Sequence, residues 1–306
     1  MTPRAGTVSE HTPLRFLDPA VLARISTLEL VARTVVEGFI SGLHRSPYLG
    51  FSVDFAQYRQ YIEGDDIRQI DWKVYARSDR HYVKQYEGET STNVYLLLDT
   101  SGSMAYRSDS VTKMEYARYL TASLAFFAQL QRDRVGLTSF AAGLVDQLPP
   151  RCRREHLSSL LHLIDKARAD AGTAFGKPLR ALAETIRRRG IVVLVSDLYA
   201  PTGEILESIR QFRFQGNDVI VIQVLDPREQ RFDFSDSVQM VDMETRRNLI
   251  MDPALARDDY LAGLESHQQE IRNLCGALGV DFLVMETSQP LDLALYRYLS
   301  TRQKSR

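Results

Sequence analysis

The sequence predicts an α/β protein with a doubly wound, mostly parallel sheet flanked by helices. From Val94 onward, apolar runs of strand length alternate with segments in which apolar residues recur at helical spacing, which is the pattern of βα units. Residues 191–195 and 219–222 are entirely apolar, as expected for central strands buried on both faces. Asp99 and Asp197 stand just past the ends of two such runs, where open α/β sheets bind ligands.

The composition fits one large domain with an accessory piece. The chain has 306 residues, of which 44% are hydrophobic, enough for a sizeable core. Its 38 Lys and Arg residues balance 39 Asp and Glu residues, so the charge gives no reason to expect nucleic acid or an anionic membrane as partner. No stretch approaches the ~18 apolar residues of a membrane span, and no signal-peptide core is present. Two cysteines fit a reducing compartment, so we expect a cytoplasmic protein.

Residues 1–13 and 14–92 are expected to form a flexible arm and an N-terminal accessory segment. The arm is predicted because residues 1–13 are rich in Thr, Pro, Gly and Ser. Apolar residues recur at helical spacing from Pro19 to about residue 43, and Pro suits the first turn of a helix. The rest is predicted as a mixed or extended stretch over 50–62, a turn at 64–66, a short helix over 67–76 and a strand over 81–86.

Residues 93–300 are expected to form the main domain. The apolar pattern predicts strands over 94–99, 135–140, 191–196, 218–225 and 281–285, with 144–148 as a hairpin partner of the second. It predicts helices over 112–131, 156–167, 178–188, 204–214, 255–278 and 291–299. Residues 226–251 interrupt this rhythm with short alternating runs, which indicates a hairpin-like insertion.

The loop after the first strand of the main domain predicts a metal site. It reads Asp99-Thr100-Ser101-Gly102-Ser103 and carries one carboxylate and two hydroxyls at alternate positions. Gly102 allows the loop to bend, so the three side chains would converge. Such oxygen ligands suit a small hard cation, Mg²⁺ or Mn²⁺.

Two further loops are expected to complete the site. Asp197 repeats the strand-end position of Asp99, and Thr173 follows Gly172 in a loop ahead of a helix. Two carboxylates match the charge of a divalent ion, and three hydroxyls add ligands without charge. We therefore predict that the metal ligands are Asp99, Ser101, Ser103, Thr173 and Asp197.

This pattern over residues 93–300 resembles the von Willebrand factor A domains. The DxSxS loop, the distant Gly-Thr and the strand-terminal Asp look like the metal-ion-dependent adhesion site of that family. The resemblance implies that two Ser and one Thr ligate the ion while the two Asp often act through water. It also implies an open coordination position that an Asp or Glu of another protein completes.

A second resemblance lies upstream of the metal loop. Residues 63–73, EGDDIRQIDWK, followed by Ala76-Arg77, resemble the signature of the bacterial domain-of-unknown-function family fifty-eight. The resemblance implies a MoxR-type AAA+ ATPase as partner, with this chain as adaptor and a client protein supplying the carboxylate. The same segment is dense in both charge signs, which is equally typical of an architectural surface around Trp72.

Simpler interpretations remain open for the same residues. Ser101 and Ser103 would also suit a helix cap, and Asp197 would suit a turn or a cap. A divalent-metal phosphohydrolase using Asp99 or Asp197 is the alternative function. Such phosphoaspartate chemistry needs a second carboxylate two residues after the nucleophile, where this chain has Ser101. We therefore expect binding and not catalysis.

Overall fold

The computed structural model describes residues 18–25, 27–45, 57–60, 82–85, 92–169, 172, 174–234, 238–241, 248–251 and 253–304. These residues fall into two compact units, Met1–Ile40 with Thr92–Arg306, and Ser41–Ser91. The first unit therefore includes most of the second helix, which the sequence had grouped with the accessory segment. Its apolar stripe explains this, because Val31, Val35 and Phe39 are buried.

The strands are β1 Gln57–Gln60, β2 Tyr82–Gln85, β3 Asn93–Asp99, β4 Arg134–Phe140, β5 Leu144–Arg151, β6 Gly190–Ser196, β7 Asp218–Leu225, β8 Val238–Val241, β9 Asn248–Met251 and β10 Asp281–Glu286. The helices are α1 Pro19–Leu22, α2 Leu28–Arg45, α3 Lys113–Leu130, α4 Arg154–Lys166, α5 Gly176–Thr185, α6 Thr202–Phe214, α7 Pro227–Arg231, α8 Pro253–Leu278 and α9 Asp292–Lys304.

Six strands form one sheet in the order β10-β7-β6-β3-β4-β5. The pairs are parallel except for β4 with β5, which form the predicted antiparallel hairpin. The chain runs from β3 outward to β5, then returns to place β6 on the other side of β3. The strand order therefore reverses between β3 and β6, and open α/β sheets bind ligands at such a switch point. The predicted fold class is confirmed.

Helices cover the central strands on both faces. On one face, β3, β6 and β7 pack against α5, α6 and α8 through a buried cluster that includes Leu97, Val192 and Val221. On the other face, α3, α4 and α9 pack together over the sheet. Residues pointing to either face of β6 and β7 are therefore buried, which is why those strands are continuously apolar in sequence.

Three of the predicted elements need correction. The single helix predicted over 19–43 is divided into α1 and α2, because the Thr27 hydroxyl accepts the backbone N–H of Leu30 and starts a new helix. Residues 226–251 begin with α7 before the antiparallel pair β8 and β9; Asp226 and Glu229 form a capping box that the sequence reading overlooked. Helix α5 ends at Thr185 and not at residue 188.

Several predicted features lie outside the described residues. They are the flexible arm over 1–13, the turn at 64–66, the helix over 67–76, and all of the signature over 63–77, including Trp72. Within the described parts of the chain, no helix is both long enough and apolar enough to cross a membrane.

Candidate metal centre

Asp99 and Ser101 lie where strand β3 ends, at the switch point of the sheet. β3 is paired with a strand on each side, so its carboxyl end is covered and Asp99 is only 2% exposed. The backbone N–H of Ser101 donates to Asp99 Oδ1 over 2.9 Å. This turn keeps the buried Ser101 side chain at the same edge of the sheet as the carboxylate.

The hydroxyls of Ser101 and Ser103 lie side by side, with 3.1 Å between the two Oγ atoms. Gly102–Ala105 form a short 3-10 helix, and Ser101 occupies its N-cap position. Within this described loop, however, the Ser101 side chain makes no capping hydrogen bond. The capping interpretation of Ser101 is therefore wrong for this short helix, and its hydroxyl contacts Ser103 and Asp99 instead.

Asp197 follows strand β6 and is connected to Asp99 through its neighbour Ser196. Ser196 Oγ donates to Asp99 Oδ2 over 2.5 Å and accepts the backbone N–H of Leu198 over 2.9 Å. Leu198 has a φ of 58°, a left-handed conformation that is unfavourable for a residue with a Cβ. Burial of the Leu198 side chain in the core holds it there, so the direction of the chain after β6 is fixed.

The Asp197 side chain takes part in that turn, as one of the simpler interpretations allowed. Its Oδ1 accepts the backbone N–H of Tyr199 over 3.2 Å. Gln223 of β7 donates through Nε2 to the Asp197 carbonyl over 3.0 Å. Helix α6 begins later, with Pro201 at its N-cap. Asp197 is thus a turn residue and not a helix cap, and each of its carboxylate oxygens has more than one lone pair to offer.

Thr173 lies outside the described residues, although both of its neighbours are described. A Cβ on Gly172 would lie 3.5 Å from the Ala142 Cβ, and the backbone N–H of Ala174 donates to the Ala141 carbonyl over 3.4 Å. These neighbours therefore lie beside the end of β4, the strand next to β3.

Lys113, the first residue of α3, adds a charge at this edge of the sheet that sequence reasoning missed. Its side chain is fully buried. Nζ donates to Asp197 Oδ2 over 2.9 Å and to Glu229 Oε1 over 2.8 Å. It also lies 4.5 Å from the ring centroid of Tyr199 and 5.9 Å from that of Tyr106, within the range of a cation–π contact.

A second contact joins the segment before α3 to the residues that follow β7. Asp226, fully buried at the end of β7, accepts the backbone N–H of Ser108 at Oδ2 over 2.7 Å. The Ser108 hydroxyl donates to Asp226 Oδ1. The residues from Ser108 to the start of α3 are therefore anchored twice to the residues after β7, by Ser108 to Asp226 and by Lys113 to Glu229.

The electrostatics of the site are those of crowded carboxylates. Burial, followed by repulsion from the Asp197 carboxylate, raises the pKa of Asp99 to about 7, although hydrogen bonds from Ser196 and Ser101 oppose this rise. Burial alone would lower the pKa of Lys113, but the Asp197 and Glu229 carboxylates outweigh it and raise that pKa. Burial raises the pKa of Glu229 in spite of its contact with Lys113.

The donors that are present fit a divalent cation bound mainly by hydroxyls. Neighbouring ligands of an octahedral Mg²⁺ site lie about 3 Å apart, since each ligand bond is ~2.1 Å long. The 3.1 Å between the Ser101 and Ser103 hydroxyls matches that spacing. Among the described residues, no group of three or more His, Cys, Asp or Glu side chains is arranged to hold a metal, so a site at this edge depends on the serines.

Comparison with known proteins places the chain in a family. The family described as "Protein of unknown function DUF58" matches residues 57–270, and the chain belongs to this family. An uncharacterized protein of Mycobacterium tuberculosis is 27% identical over 292 residues, covering 94% of this chain and 91% of the relative.

Solved structures with a similar chain path were also found. One is the conserved hypothetical protein BatB from Bacteroides thetaiotaomicron, with a TM-score of 0.49 and 18% identity over 70% of this chain and 100% of that chain. The SpRpn10 VWA domain has a TM-score of 0.43 and 10% identity, covering 68% of this chain and 95% of that domain.

Proposed function

We propose that the carboxyl edge of the sheet is a divalent-cation site through which this protein binds a carboxylate of another protein. Ser101 and Ser103 would be direct ligands together with Thr173, and Asp99 and Asp197 would supply negative charge. Mg²⁺ or Mn²⁺ would occupy the site. An Asp or Glu of the bound protein would complete the coordination, as the likeness of the sequence motif to a metal-ion-dependent adhesion site implies.

The 3.1 Å between the Ser101 and Ser103 hydroxyls is the observation that carries the proposal. Two buried carboxylates beside these hydroxyls support it, because repulsion between them raises the pKa of Asp99 and a cation would relieve that repulsion. The Ser101 hydroxyl makes no helix-capping hydrogen bond in the described loop.

We further propose that the site binds and does not hydrolyse. A strand-end Asp that forms a phosphoaspartate needs an acid–base group nearby, and the residue two positions after Asp99 is Ser101. The ammonium group adjacent to Asp197 belongs to Lys113, whose pKa is raised by two carboxylates, so it is a poor proton acceptor near neutral pH. Generic phosphoesters should therefore not be turned over in the presence of Mg²⁺ or Mn²⁺.

Calorimetric titration with Mg²⁺ tests the cation site directly. The unmodified protein should bind one ion, and Ser103→Ala should bind it at least about tenfold more weakly because one ligand is lost. Ser159→Ala is the matched control, since Ser159 lies on the exposed face of α4. Equal affinities of all three proteins would contradict the proposed site.

We propose a MoxR-type AAA+ ATPase as partner, with this protein as its adaptor, on the basis of the signature in residues 63–77. Co-purification of the two proteins with and without EDTA tests this, but EDTA also removes Mg²⁺ from the nucleotide of the ATPase. Ser103→Ala separates the two effects, since it weakens only the site on this chain. Recovery of the complex should fall with Ser103→Ala and stay unchanged with Ser159→Ala.

A further inference from the structure

Lys113 is an unusual group to find beside a cation site, because it brings a fixed positive charge there. Its side chain is fully buried, and two of its three N–H donors are used by Asp197 and Glu229 over 2.9 and 2.8 Å. The Tyr199 ring, 4.5 Å away, covers the ammonium group on another side. A lysine with these contacts cannot turn away into solvent without leaving two carboxylates buried and unpaired.

The contact with Asp197 limits what that candidate ligand offers to a metal ion. Lys113 occupies Oδ2, and Oδ1 accepts the backbone N–H of Tyr199 over 3.2 Å. Each oxygen therefore already accepts one hydrogen bond before any ion binds, which leaves fewer of its lone pairs for a metal ion. The Ser101 and Ser103 hydroxyls, by contrast, lie 3.1 Å apart, and a hydroxyl that donates its proton still has lone pairs for a metal ion, so these oxygens are the more available ligands.

The contact with Glu229 adds a third carboxylate to the charge balance around Lys113. Asp99, Asp197 and Glu229 would carry three negative charges when ionised, and Lys113 offsets one of them. The remaining two match a divalent ion. Glu229 also accepts the backbone N–H of Asp226 over 2.9 Å, so its carboxylate is held by the capping box of α7 as well as by Lys113.

We infer that Lys113 is a positioning residue of this cation site: it restrains Asp197 by occupying one carboxylate oxygen, and it thereby weakens the affinity for the divalent ion. This inference rests on the proposed cation site. Its consequence has a definite sign. Removing Lys113 frees Asp197 Oδ2 and removes a competing positive charge, so the ion should bind more tightly; a purely structural role would make it bind more weakly.

The test is Mg²⁺ and Mn²⁺ titration by calorimetry, with folding of each variant checked by circular dichroism. Lys113→Met should lower the dissociation constant for the ion by about tenfold or more, because it frees Asp197 Oδ2 and removes a competing positive charge. Adding Asp99→Asn to this variant should abolish the gain, which would assign the binding to this edge of the sheet.

Two further variants separate the effect of the Lys113–Asp197 contact from the effect of net charge. One of them also serves as a substitute if Lys113→Met does not fold. Glu229→Gln leaves the bond between Lys113 and Asp197 in place, so it should bind the ion no more tightly than the unmodified protein. Lys113→Met combined with Glu229→Gln keeps the local net charge unchanged and still frees Asp197. It should bind at least about threefold more tightly than the unmodified protein, and it replaces the single variant if that one does not fold.

The outcomes distinguish the inference from the proposed function. If the unmodified protein binds the ion and the folded lysine variant binds it equally or more weakly, the inference is overturned and the cation site stands. If only the lysine variant binds, the inference holds and the proposed function of the unmodified protein is overturned. If neither binds, both are overturned.

Discussion

At the scale of single residues, Asp99 illustrates the cost in stability of burying a carboxylate at the candidate metal centre. The residue is 2% exposed. It ends β3, next to β6, and the residue that follows β6 is the second acid, Asp197. Burial, followed by repulsion from Asp197, raises the pKa of Asp99 to about 7. Since the unfolded chain has the ordinary, lower pKa, the folded state binds more protons between about pH 4 and 7. Without metal, stability from this group is therefore lost as the pH rises through that window.

Asp99→Asn should accordingly stabilise the metal-free protein at pH 8, by on the order of 2 kcal/mol, because it removes a buried negative charge. At pH 5 the gain should be less than half as large, since the folded Asp99 is then mostly neutral and only the carboxylate of the unfolded chain is ionised. Urea unfolding in EDTA at both pH values measures this. Asp109→Asn, which changes an exposed carboxylate in the same loop, is the control. A loss of stability at pH 8 would show that Asp99 is required for the fold itself.

At the scale of elements, the central strands of the sheet set the geometry of the site. β6 is flanked by β3 and β7 and covered on both faces, and Val193 is fully buried. Its carboxyl end carries Ser196 and Asp197 to the edge where β3 delivers Asp99. Because these positions depend on the parallel register, damage to β6 should destroy the site by unfolding the sheet.

Val193→Asp should abolish cooperative folding, because an unpaired charge in the sheet interior costs more than about 3 kcal/mol. Val145→Asp is the matched control, since Val145 is 60% exposed on the edge strand β5 and should change stability by less than about 0.5 kcal/mol. Circular dichroism and thermal unfolding of both variants give the comparison. A cooperative transition for Val193→Asp near that of the unmodified protein would contradict the assigned burial.

The strands could be predicted from the sequence because burial on both faces leaves an uninterrupted apolar run, as in β6. The strand-end acids, Asp99 and Asp197, followed from the same runs. Lys113 could not be assigned in this way, because its partners Asp197 and Glu229 are 84 and 116 residues away in sequence. For the turn at Asp197, one sequence signal was available. Gln223 is a polar residue inside the apolar run of β7, and its side chain donates to the Asp197 carbonyl.

At the scale of the whole molecule, one buried carboxylate joins distant parts of the chain. Asp133, fully buried before β4, accepts the backbone N–H of Thr92 over 3.1 Å. It also accepts hydrogen bonds from Tyr298 over 2.9 Å and from Arg302 over 2.5 and 3.1 Å. The last helix, α9, is thereby attached to the amino end of the sheet, opposite the candidate metal centre.

Arg302→Met should therefore lower the free energy of unfolding by about 3 kcal/mol, because it leaves Asp133 buried without its cation. Arg297→Met is the control: Arg297 is 44% exposed and 3.8 Å from Asp281, so its removal should cost less than about 1 kcal/mol. Denaturant unfolding of both variants provides the measurement. Equal small losses would show that α9 is held by apolar packing alone.

The central claim is that the loop after β3 and the acid after β6 form one cation site. It is tested most directly by the structure of crystals equilibrated with Mn²⁺, with the ion located from its anomalous scattering. We predict a single peak at this edge of the sheet, about 2.2 Å from the hydroxyls of both Ser101 and Ser103. Crystals that take up Mn²⁺ without a peak in contact with either hydroxyl would contradict the claim.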